Sequence, residues 1–223
     1  MKTLTQIEKI AFTFLVIVFG FGIYFSNTDT IYFDTVYAKE DGYVEYGTAV
    51  FLFFSSLLLL YRFFKLQKFK KPLWKFGILM LALIFLFGTG EEISWGQRIF
   101  NVESSEYFLE NNAQGETNLH NMVVDGKKVN KIIFSQLLTV ILIIYLIIAP
   151  LLYRKFEGIK NLANMFAVPI VKWQHTIAFL SCTALIMLMP AERKWELYEL
   201  AFGVIFFLIF LNPLNKSIYS VNS

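Results

Sequence analysis

Residues 73–92 read LWKFGILMLALIFLFGTGEE. The run is apolar from Phe76 to Gly90 and stops on two adjacent carboxylates, Glu91 and Glu92. A helix over 76–90 covers about 22 Å, short of a bilayer hydrocarbon core of roughly 30 Å. Starting near Leu73 and continuing through Glu92 closes that gap. A span of this length places two carboxylates at or just below a headgroup layer, where charge is expensive to hold.

Working outward, five more stretches have the length and apolarity of spans: about 9–26, 43–62, 131–153, 170–190 and 196–213. The chain is 57% hydrophobic with 25 Phe and a mean hydropathy of +0.56. A soluble domain is nearer 45–50% apolar. The reading is an all-α, polytopic membrane protein: a six-helix transmembrane bundle, one integral membrane domain over 1–223, with one structured extracytoplasmic loop at 93–130. Lys2 and Lys9 precede the first run as in a signal sequence. That run ends in bulky Phe21, Tyr24 and Phe25 with no small-x-small cleavage site, so it is expected to stay as a span. The single cysteine, Cys182, excludes an intramolecular disulfide and a cysteine metal cluster.

The charges divide between the two ends of such a bundle. Lys2, Lys9, Arg62, Lys65, Lys68, Lys70, Lys71, Lys75, Arg154, Lys155, Lys160, Lys172 and Lys216 share one end, which the positive-inside rule makes cytoplasmic. Both termini are then expected in the cytoplasm. Of the 17 acidic residues, Glu8 and Glu157 alone lie at that end. Carboxylates contribute little to orientation, so their gathering at the outer end calls for another use.

Two stretches concentrate that chemistry. The first is GEEISWGQR (90–98). If helix continues past Gly90, then Glu91, Trp95 and Arg98 share a face, with Arg98 pairing Glu91 and Trp95 anchoring in the interface. The second is QGETNLHN (114–121), where Glu116 and His120 are four apart and a helix would aim both at one point. Carboxylate and imidazole suit zinc, iron or manganese, or a general base with its orienting partner. The proposed catalytic set is Glu91, Glu92, Glu116 and His120. Trp95, Gln97, Arg98, Asn118 and Asn121 would bind the substrate. If a divalent metal is the cofactor, Glu116 and His120 would hold it with Glu45 and Glu199, which lie deeper than a helix N-terminus needs.

Other features read more plainly. Asp41, Glu192 and Glu196 suit helix N-termini. Residues 27–42 read as a short polar loop, Ser104 and Ser105 as the cap of a short helix, and 123–129 as a tight turn. His175 has no carboxylate near it in sequence and reads as a core histidine. The basic run 62–75 would attract anionic headgroups, but orienting the chain already explains it. Membrane lipids are the expected partners, with a homo-oligomer or a membrane complex as the setting and no nucleic acid.

GEEISWGQR, and QGETNLHN together with Asn112, resemble the motifs of a family of bacterial multi-span membrane proteins. The resemblance implies the cytoplasmic (inner) membrane of a bacterium and, since no activity is attached to the pattern, no substrate. The acidic start at 41–45 is also similar to the calcium-binding segment of alkaline ceramidases. The several histidines of their zinc site have no counterpart here, which sets that assignment aside. Three functions fit: a membrane enzyme acting on a lipid or lipid-linked group at the outer leaflet, a non-enzymatic partner subunit, or a cation- or proton-binding transporter or sensor.

Overall fold

The computed structural model describes residues 4–119, 121–124, 127–128 and 137–221. The fold is all-α, and six long helices carry it among the described residues. They are α1 (Gln6–Thr28), α2 (Tyr43–Leu66), α3 (Pro72–Glu92), α4 (Leu138–Lys155), α5 (Trp173–Ile186) and α6 (Lys194–Leu211). Helices α1 to α4 are long and apolar enough to cross a membrane. Helix α5 has 14 residues, and α6 carries Lys194, Glu196 and Glu199 in its first two turns.

Helix α6 is the axis of the bundle. It packs along α2, which packs along α3, and it also meets α1 and α5. Its Leu197, Leu200, Ala201, Val204, Ile205, Leu208 and Ile209 are all buried. By contrast α1 and α4 expose apolar side chains such as Val16, Ile17, Val140 and Ile141. Beyond its first two turns α6 is apolar on every side with no exposed residue, as befits a helix inside a bundle.

The helix ends follow local chemistry. Thr5 caps α1 in a capping box: its hydroxyl accepts from the Glu8 amide (3.2 Å) while Glu8 accepts from the Thr5 amide (2.7 Å). Pro72 opens α3, where its missing N–H costs nothing. In α4, Pro150 cannot donate to the carbonyl of Leu146, and the preceding Ile144–Ile148 widens into a π turn. The stretch at 131–136, the start of the expected fourth span, lies outside the described residues.

Three expectations need correction. Residues 27–42 are not a plain polar loop: Thr30–Tyr32 is helical and Phe33–Tyr37 forms a π turn. Phe33, Tyr37 and Ala38 are buried, and the Tyr37 hydroxyl donates to the Val18 carbonyl of α1 (2.7 Å). Arg62 does not face headgroups. Helix α2 runs on to Leu66 and carries Arg62 inward, where it donates to the carbonyls of Phe210 (2.6 Å) and Leu211 (3.2 Å) and stacks 4.2 Å from the Tyr219 ring. These are the unpaired carbonyls at the negative end of α6.

The third correction concerns His175. It lies 3.0 Å from Glu8, and neither is exposed at all. The same Glu8 oxygen accepts from Gln174 (2.7 Å) and Asn212 (3.1 Å). This carboxylate ties the start of α1 to α5 and to the end of α6.

Candidate functional site

The far ends of α2, α3 and α6 meet beneath the segment that follows α3. Helix α3 ends at Glu92 because the chain turns left-handed at once: Ser94, Trp95 and Gly96 have φ of 46°, 54° and 79°. Each such non-glycine residue costs about 1–3 kcal/mol and persists only when its surroundings hold it. Here they do. The Trp95 indole donates to Glu91 Oε1 (2.9 Å), and its ring lies flat on Gly90, where an added Cβ would sit 2.8 Å from it. Ser94 donates to Glu116 Oε2 (2.6 Å).

The expected continuous helix through Arg98 is therefore absent. Trp95 still reaches Glu91, but Arg98 swings away and pairs with Asp41 and Glu116 instead. Burial works against the Arg98 charge, yet these two carboxylates outweigh it and hold the guanidinium above its usual pKa.

Residues 112–119 are not helical either, so Glu116 is positioned by hydrogen bonds rather than by helical spacing. Asn112 is the hub. Its Oδ1 accepts from the amides of Gln114 (2.9 Å) and Glu116 (3.2 Å), and its Nδ2 donates to the Asn118 carbonyl (2.9 Å). Asn118 in turn donates to Ser94 (2.9 Å) and Glu116 (3.0 Å). Gln97 braces the far side, accepting from the Thr117 amide (2.7 Å) and donating to Ser104 (2.7 Å). The Leu119 amide closes the fold onto Glu91 Oε2 (2.7 Å). The two motif stretches thus clasp each other.

Under this clasp lies a cavity of about 80 Å³. It is lined by Glu91 and Glu92 of α3, Glu45 of α2, Glu196 and Glu199 of α6, and by Glu40, Arg98, Gln114, Glu116, Asn118 and Asn121. Of the residues proposed from sequence, Glu45, Glu91, Glu92, Arg98, Glu116, Asn118, Asn121 and Glu199 come together here. Gln97 serves the clasp instead, and Trp95 is 53% exposed beside it. His120, and the Asp125 and Gly126 of the expected turn, lie outside the described residues. Flanking that turn, Val123–Val124 pairs antiparallel with Lys127–Lys128. The short helix after Ser105 forms at Glu106–Asn111, without the expected side-chain cap bond.

Sequence reasoning missed Glu40, Gln114, Ser94 and Glu196. Helix-end chemistry sufficed to explain Glu196, although its spacing of three from Glu199 puts both on one face. Glu40 gave no periodic signal. It is held by Arg193 (2.7 Å) and by Gln114, while the Arg193 amide donates to Asp34 (3.0 Å). The ion pair with Glu40 raises the pKa of Arg193.

The cavity is strongly negative. Glu40 and Glu116 are paired with arginines, Glu91 accepts two N–H groups, and Glu45 accepts the Asp41 amide (2.6 Å). Glu92, Glu196 and Glu199 have no hydrogen bond or ion pair among the described residues. The volume admits a few waters, a small cation or one ammonium-sized group, well below the roughly 300–1,000 Å³ of a drug-sized site. Among the described residues no three His, Cys, Asp or Glu side chains stand in an arrangement that holds a metal ion. Compared with protein-family models, curated proteins and solved structures, the chain matches none.

Proposed function

We propose that this chain is a six-span protein of a bacterial cytoplasmic membrane, and that the acidic cavity is an extracytoplasmic site for positive charge, taken up as a hydrated cation held through water rather than by three direct ligands. One observation carries the reading: Glu92, Glu196 and Glu199 crowd a cavity of about 80 Å³ without a donor of their own. Carboxylates away from bulk water persist when something offsets their charge. Arg98 is already engaged by Asp41 and Glu116. The basic residues at the opposite end support the orientation.

The test is cation-dependent stability. Purified protein is melted with and without sodium, magnesium or calcium, alongside Glu92→Gln and Glu199→Gln. The expected result is that at least one cation raises the wild-type melting temperature in proportion to the logarithm of its concentration. Both variants lose that response. A wild type indifferent to all three cations sinks the reading.

A second reading is favoured by the left-handed run Ser94–Gly96. Backbone strain of this kind gathers at functional sites, and here it delivers the Ser94 hydroxyl to Glu116. On that reading the site is the acid–base centre of an enzyme whose lipid or lipid-linked substrate inserts only its polar reacting group. Glu91, Glu92 and Glu116 are its carboxylates, and His120, grouped with them on sequence alone, lies outside the described residues. Glu116→Gln would then abolish turnover while leaving any cation response in place.

A further inference from the structure

We propose that the basic end of the bundle carries a binding surface for anionic phospholipid, built from the helix Glu157–Met165 and the lysine-rich turn before α3. This surface depends on the helices being embedded in a bilayer but not on the acidic cavity, which lies at the opposite end. Failure of one therefore leaves the other untouched.

The helix is amphipathic in the inverse sense. Ile159, Leu162 and Met165, spaced by three, form its apolar face, and all three are exposed. Of its polar residues Asn164 is turned to the protein, accepting from the Tyr153 hydroxyl (3.1 Å) and from Asn215 (2.9 Å), while Glu157 and Asn161 stay exposed at the edge of the apolar face. A helix beside water does the reverse. An apolar face turned outward at the end of a span suits the acyl boundary of a leaflet.

The helix is also firmly seated. A Cβ on Gly77 would fall 1.9 Å from the Phe166 carbonyl oxygen, so the chain leaving the helix lies directly on α3. That seat is little more than one turn into α3, whose first turn follows the exposed Lys68 and Lys71. Exposed Lys155 precedes the helix from the other side. The sole acid of the helix, Glu157, is paired with Lys160 (2.9 Å). An outward apolar face rimmed by lysines complements an anionic headgroup above an acyl chain.

The test uses the full chain in neutral detergent, given phosphatidylglycerol or phosphatidylcholine with identical acyl chains, with retained lipid read by native mass spectrometry. The wild type should retain phosphatidylglycerol at least tenfold better, and less so at high salt. The triple variant K68Q/K71Q/K155Q should lose on the order of 100-fold in that retention, about fivefold per lysine. The corresponding triple arginine variant should keep it, and Leu162→Asn should weaken both lipids alike. Equal retention of the two lipids, salt-insensitive retention, or a triple glutamine variant that binds as the wild type would each overturn the proposal. So would a dimer that Leu162→Asn dissociates without any lipid preference, which would assign the face to a second copy of the chain.

Discussion

Glu8 takes five hydrogen bonds while wholly removed from solvent, from the amide and hydroxyl of Thr5 and from Gln174, His175 and Asn212. Glu8→Gln keeps the size but sets an amide N–H₂ against donors at one of its two positions. The expected loss is about 1–3 kcal/mol, read as a lower melting temperature in detergent. An unchanged melting curve would contradict the bonding described. Gly90→Ala should act on the other end. Its methyl would meet the Trp95 ring and displace the indole that orients Glu91, at a cost of about 1–3 kcal/mol. Blue-shift or quenching changes in tryptophan emission would report the displacement, and emission identical to wild type would refute the contact. Part of this was open to sequence reading. Glu45, Glu91, Glu92 and Glu199 declared themselves by standing deeper than helix ends require. The partner of His175 did not, because Glu8 stands 167 residues away and no local spacing joins them.

Among the elements, the four helices long and apolar enough to cross a membrane were legible because apolar runs of this length have few alternatives, whereas the expected span at 170–190 is helical only over Trp173–Ile186. The clasp was legible as two stretches but not as a shape. Helical spacing misassigned Arg98 and Glu116, since left-handed backbone at Ser94 and Trp95 is a choice that sequence period does not report. The end of α6 supplies a further test. Arg62 offers two nitrogens of a planar fork to two carbonyls and its flat face to Tyr219. Lysine retains the charge but neither geometry. Arg62→Lys should therefore destabilise the protein by about 1–2 kcal/mol, and Arg62→Ala by more, as the buried carbonyls lose their donor. Equal stability of the lysine variant and the wild type would show that charge alone suffices.

At the scale of the whole molecule, the orientation is testable without any ligand. Single cysteines at Ser105 and Lys194, in a Cys182→Ala background, should react with an impermeant thiol reagent added outside intact cells. Cysteines at Lys68 and Lys160 should react only after the membrane is opened. Reaction of Lys160→Cys from outside would break the scheme of six spans. The length and composition of α1 to α4 already mark them as able to cross a membrane. Helix α5 is short and α6 carries three charges, and these two are the ones that a hydropathy reading serves least. Burial accounts for α6: Glu196 and Glu199 open onto the cavity, Lys194 donates to the Met189 carbonyl (2.9 Å), and beyond its first two turns no residue of the helix is exposed.

The placement of α6 has a consequence for how the protein is made. The helix that fills the middle of the bundle follows the other five in the chain, so it leaves the ribosome after them. Until it is made, α1, α2 and α5 lack the helix that each of them meets, and Glu8 waits for Asn212. The pairs α2–α3 and α1–α5 can form early, and the bundle closes only when the last helix joins them. A chain interrupted before Lys194 would present membrane proteases and insertion chaperones with five helices and a hollow centre.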